Sequence, residues 1–133
     1  TLKTDESGEP LHIQQARQIR LFRQAWKAAG HEGQPRASVS RSIFALVNDR
    51  DRQLLGGQRS DRDQIGIIDN TRTVFGRSYA AEPEELVRQL ERDEAIREAD
   101  TLLLTIPNQL GVDYNIHALE AILTQVAPAL GWR

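Results

Sequence analysis

Thr101-Leu102-Leu103-Leu104-Thr105-Ile106, set between Asp100 and Pro107, is the stretch that most limits what this chain can fold into. Six residues that are apolar or threonine, with no clean alternation, predict a strand buried on both faces, and such strands belong to parallel sheets. Parallel strands need crossovers between them. Helical patterns lie on both sides of this one, Glu84 to Ala99 before it and Tyr114 to Leu130 after it, so the expected class is α/β.

The flanking segments agree with that class. Thr1 to Glu9 is polar and expected to be a loop. From Pro10, Ile13, Ala16, Ile19, Phe22, Trp26 and Ala29 recur at helical spacing, and Gly30 is placed to end that helix as its C′ residue. His31 then falls in the connection, where a solvated loop histidine is the plain expectation. Between Arg36 and Val47 the period changes to two. Val39, Ile43, Ala45 and Val47 share one face of an extended chain; Ser38, Ser40, Ser42, Phe44 and Leu46 share the other. A one-residue slip would exchange the faces, and which one is inward stays open. Arg41, inside this strand, must be exposed, paired with a carboxylate, or aimed at an anionic group.

Asn48 to Asp63 is polar and broken by Gly56 and Gly57, so it reads as a short helix or a mobile excursion that is not packed. Gln64 to Ile68 and Thr73 to Phe75 are short apolar patches separated by Asp69-Asn70-Thr71-Arg72. Gly76-Arg77-Ser78-Tyr79 has only one glycine and makes a weak anion loop. Glu82-Pro83-Glu84-Glu85 is a strong helix start, with proline in the first turn and carboxylates at the positive end of the helix dipole, which explains the acidic cluster without a metal. After the central strand, Asn108 and Gln109 lie in the loop leaving its carboxyl end, the end at which α/β sheets and barrels bind ligands. The last helix is expected to present Leu119, Ile122, Leu123, Val126 and Leu130 on one face, with His117 in its first turn as a capping or surface group.

With 133 residues the chain is one segment, 1–133, of about domain size. Its net charge of −2, with basic residues that are scattered and almost all arginine, gives no footprint for nucleic acid or an anionic membrane. The absence of cysteine excludes disulfides, thiolate metal sites and thiol nucleophiles. No apolar run approaches the roughly 20 residues that span a bilayer, and the expected location is cytoplasmic.

Ala25-Trp26-Lys27-Ala28-Ala29-Gly30-His31, Ser40-Arg41-Ser42-Ile43-Phe44, Ala81-Glu82-Pro83-Glu84-Glu85-Leu86, Asn115-Ile116-His117 and Val126-Ala127-Pro128-Ala129-Leu130, in this order and spacing, together resemble the C-terminal part of bacterial luciferase-like, flavin-dependent monooxygenases. The resemblance implies a (β/α)₈ TIM barrel, with residues 36–47 as its seventh strand and 101–106 as its eighth. It also implies reduced FMN as cofactor, reacting with oxygen to oxidise a small organic substrate and supplied in some members by a separate flavin reductase. In other branches it implies the deazaflavin F420 and hydride transfer. Ser40, Arg41, Asn108 and Gln109 would then stand on the substrate and flavin side.

Family members are longer, and their first strands have no counterpart here. The chain is therefore expected to be an incomplete barrel, inactive by itself and unable to bind flavin tightly. The inward faces of Val39, Ile43, Leu102 and Leu104 and the sheet edges would need covering by the N-terminal barrel portion or by self-association. A small α/β interaction module without chemistry is the alternative from a different class.

Overall fold

The computed structural model describes residues 2–3 and 8–132 and is a mixed α/β structure. Of the expected N-terminal loop, residues 1 and 4–7 lie outside the described residues, while β1 (Leu2–Lys3) is extended and pairs with a later strand. Helix α1 (Leu11–Ala28) starts after Pro10, which offers no side-chain cap; the carboxylate of distant Asp63 takes the Leu11 N–H instead, at 2.6 Å. The helix ends as its sequence predicts. Gly30 has φ +78, and the N–H groups of Gly30 and His31 reach back to the carbonyls of Lys27 and Trp26, the paired bonds of a Schellman motif.

The stretch expected as one strand over 36–47 is two, β2 (Ser38–Arg41) and β3 (Ile43–Ala45), interrupted at Ser42. The two halves look to opposite edges. β2 pairs in parallel with β7 (Thr101–Leu104), Val39 opposite Leu102 and Arg41 opposite Leu104; β3 pairs in parallel with β6 (Tyr79–Ala81). Arg41 O accepts from Thr105 on one side, and Ser42 O accepts from Tyr79 on the other. Successive residues of an extended strand alternate in direction, so β6 and β7 flank the 38–45 stretch on its two sides. Consecutive winding around a barrel would set each new strand beside the last. Here β7 passes over β6, and among the described residues the strands form small sheets and no closed barrel.

Between β3 and β6 lie α2 (Asp49–Leu55), a short 3₁₀ turn at Gly56–Gln58, and a hairpin of β4 (Gln64–Ile68) and β5 (Thr71–Phe75), with β1 on the outer side of β5. Asp69 and Asn70, both at positive φ, form its two-residue turn. α2 is packed, contrary to the expectation for 48–63. Asn48 and Asp51 close a reciprocal capping box, and Asp51 and Leu55 are buried.

The helix expected from Glu84 to Ala99 is also two, α3 (Pro83–Glu91) and α4 (Glu94–Glu98), broken where Asp93 turns inward and caps α4 by accepting the Ile96 N–H. α5 (Val112–Ala121) continues into a π-helical turn, Ile122–Val126. The wider turn shifts the apolar face, burying Ala121, Ile122, Val126 and Ala127 and leaving Leu123 exposed, against expectation. No helix among the described residues is long and apolar enough to cross a membrane.

Helices α1, α3, α4 and the π turn gather on one side of the parallel strands, while α2 and the start of α5 cover the other side only at Phe44, Leu46 and Ala80. Val39 packs with Ile19 of α1 and Ala95 of α4, while Ile43, Ala45, Tyr79 and Ala81 pack with Leu86 and Leu90 of α3 and with Ile122 and Val126. Two expectations are corrected by this. Val39 and Ile43 are buried against helices, with Leu102 and Leu104 packed beside them, rather than left open to water. The central strand is covered on one face only, since Leu103, on the other, is 53% exposed.

Candidate functional site

On the uncovered side, Ser38, Ser40, Leu103 and Thr105 are exposed, and the hydroxyls of Ser40 and Thr105 are 3.1 Å apart. Further along the same face, toward the carboxyl ends of the strands, the surface closes over. Phe44 and Leu46 pack against Leu55 of α2 and Tyr114 of α5, with Leu110 at the margin. The turn after β3 and the start of α5 meet there around an open polar hollow of about 370 Å³, lined by Asn48, Arg50, Gly111, Asp113, Tyr114 and His117 among others.

Asp51 organises its inner wall. Its carboxylate is 2% exposed and accepts from the Tyr114 hydroxyl at 2.7 Å, from the backbone N–H groups of Val47 and Asn48 at 3.1 and 3.2 Å, and from His117 Nε2, which is 2.9 and 3.1 Å from its two oxygens. Burial raises the Asp51 pKa. The hydrogen bonds from Tyr114, His117 and Val47 and the His117 charge outweigh it, holding the carboxyl below the usual aspartate range. Tyr114 moves the other way: burial first, then its bond to the Asp51 carboxylate, push its hydroxyl well above the usual tyrosine value.

This network selects a histidine tautomer. A deprotonated Nε2 beside two carboxylate oxygens would set lone pair against lone pair, so Nε2 carries the proton and donates to Asp51. The Asn48 amide nitrogen, 3.3 Å from Nε2, is then a neighbour rather than a donor to it. Nδ1 is left with its lone pair, on a side chain that is 37% exposed.

The four residues expected on one ligand side are not brought together. Ser40 lies on the open face. Arg41, its neighbour, points to the opposite side and is buried, donating through Nε and Nη2 to the two oxygens of Asp93 at 2.7 and 3.1 Å and through Nη1 to the Ser40 carbonyl. Of the three options for a guanidinium in a strand, pairing is the one realised. Gln109 is exposed in a 3₁₀ turn over Asn108–Leu110, at the expected strand ends; the Asn108 amide lies outside what the structure describes. At Gly76-Arg77-Ser78-Tyr79, Arg77 donates to the Tyr79 hydroxyl, which donates to Asp93, so these side chains join the Arg41 cluster. His31 packs against Trp26, with ring centroids 4.4 Å apart and ring planes tilted by 39°.

Asp51 and Tyr114 escape a reading by residue type, although Asn48-x-x-Asp51 is a helix-start pattern and Tyr114 and His117 are three apart on one helix. Both signals are short. Only the meeting of α2 with α5, 66 positions apart at Asp51 and His117, gives them a shared meaning. Comparison with protein-family models, curated proteins and solved structures gives no match to this chain.

Proposed function

We propose that the chain is the C-terminal part of a luciferase-like, flavin-dependent monooxygenase, with its open sheet face and the adjoining strand ends on the flavin and substrate side. One observation carries most of the weight: α1, α3, α4 and the π turn after α5 all pack on the Val39/Ile43/Leu102 side, leaving Ser40, Leu103 and Thr105 uncovered. A doubly wound sheet carries helices along both faces, whereas a barrel carries its helical ring on the outside; here α2 and the start of α5 reach the second face only at its carboxyl end, over Phe44 and Leu46. β6 takes the edge of β3 that a barrel gives to the preceding strand, but over three residues only, and the corresponding edge of β2 is unpaired among the described residues.

The residues fit the rim of a flavin site. Ser40 and Thr105 offer hydroxyls and Gln109 an exposed amide, all at or near the carboxyl ends of parallel strands. Bound reduced FMN would supply the electrons for oxidation of an organic substrate by oxygen; in an F420 relative the same place would serve hydride transfer. What these residues contribute is orientation, by hydrogen bonding to the polar edge of a bound ring. The piece alone lacks most of the wall needed for tight binding, and the N-terminal barrel portion or a second copy would complete it.

The test is fluorescence titration of reduced FMN and of F420 into the longer polypeptide that carries these residues and, in parallel, into residues 1–133. Binding by the longer protein and little by the piece is expected. No binding of either flavin by the longer protein overturns the proposal, and a reproducible protein partner with no flavin is the result expected of an interaction module.

A further inference from the structure

We propose that the hollow between α2 and α5 is a proton-transfer site, in which His117 Nδ1 exchanges a proton with a small molecule carrying a weakly acidic hydroxyl. Nε2 is committed to the buried Asp51 carboxylate, which fixes the orientation of the ring. The neutral ring thereby keeps its basic nitrogen at Nδ1, on a partly exposed side chain that borders the hollow. In the forward step the ligand O–H bond breaks, the proton moves to Nδ1 and the electron pair stays on the ligand oxygen, giving an imidazolium held by Asp51 and an oxyanion. The reverse step returns both.

A counter-ion for that oxyanion is present. The Arg50 guanidinium lies 5.3 Å from the centroid of the Tyr114 ring, and Arg50 lines the hollow and forms no ion pair among the described residues. The charged or titratable groups around His117 are therefore Asp51 and Arg50 from α2, and Asp113 and Tyr114 from α5. Tyr114 is held neutral by its bond to Asp51, and Asp113 is exposed at the rim, so Arg50 is the cation that lines the same hollow as His117. Asp51 touches no ligand here and is a positioning residue.

The test uses 4-nitrophenol, whose ionised form is coloured, and needs no flavin; it therefore stands or falls separately from the flavin reading. With the 133-residue chain, binding at constant pH is expected to raise the coloured phenolate fraction and to shift the His117 Nδ1 resonance in long-range ¹H–¹⁵N spectra. Before ligand is added, those spectra are expected to show the neutral ring protonated at Nε2. His117→Gln, at a partly exposed position, is expected to keep the fold by circular dichroism and to weaken phenolate binding about tenfold, the loss of one charge-assisted hydrogen bond. An Nδ1-protonated neutral ring, an unmoved Nδ1 resonance, or equal phenolate binding by His117→Gln each overturns the proposal. The wild-type spectra decide the matter even where the variant fails to fold.

Discussion

Arg41 and Asp93 are 52 positions apart and meet in a doubly hydrogen-bonded ion pair with 2% and 0% of their side chains exposed. The pair ties the end of β2 to the break between α3 and α4, and the Tyr79 hydroxyl donates to the same carboxylate at 2.8 Å. Removing one partner leaves a buried charge alone, so Asp93→Ala or Arg41→Ala is expected to cost about 3–5 kcal/mol. Replacing both, Arg41→Met with Asp93→Leu, removes the desolvation cost as well and should cost much less than the sum of the single changes. Urea melts of the four proteins measure this, and additive losses would show that the pair does not act as a unit.

The same carboxylate gives the fold an acid limit. Burial raises the Asp93 pKa, but the Arg41 hydrogen bonds and charge, the Tyr79 hydroxyl and the Ile96 N–H outweigh it and leave it below the ordinary 3.8; Asp51 is lowered in the same sense. An unfolded chain therefore takes up these protons before the folded one does. Stability is full above 3.8 and falls as pH drops through that value toward the folded pKa values. At the alkaline end, burial and then the Asp93 charge raise Tyr79 to about 12 from 10.0, so stability from this group is lost as pH rises between those values. Chemical denaturation across pH should show both limbs, with the alkaline limb flattened in Tyr79→Phe.

Gly30 stands at φ +78 and closes α1 with two backbone bonds. A Cβ there meets no neighbouring atom, so the cost of Gly30→Ala is conformational alone. It is expected to be about 1 kcal/mol, lowering the thermal midpoint without changing the folded spectrum.

Features legible in the sequence are those decided by neighbouring residues. The end of α1 at Gly30 and the start of α3 at Glu82-Pro83 need only a few residues of context, and both stand where the pattern puts them. Where the deciding partner is distant, the pattern misleads. Asp93 falls within a helical stripe, yet it leaves the helix to meet Arg41. The alternation of 38–47 separates two faces correctly and says nothing of which one the helices cover, so Val39 and Leu102 were expected on the open side and Leu103 stands there. Ser40 and Arg41, joined in one expected pocket, part for the same reason. The hollow was invisible because Asp51 and His117 become a pair only after both helices dock.

The open sheet is the feature with the plainest consequence in solution. Leu103 stands on the uncovered face, and the outer edges of both β2 and β7 are unpaired among the described residues. Unpaired backbone beside exposed apolar surface favours strand addition from another chain. Residues 1–133 alone are therefore expected to self-associate as concentration rises, by light scattering. Leu103→Glu places a charge on that face without touching the helix-packed core, and should shift the distribution toward monomer while leaving the far-ultraviolet spectrum unchanged. A wild-type chain that stays a compact monomer at every concentration would mean that the open face needs no cover, and the incomplete-barrel reading would lose its physical basis.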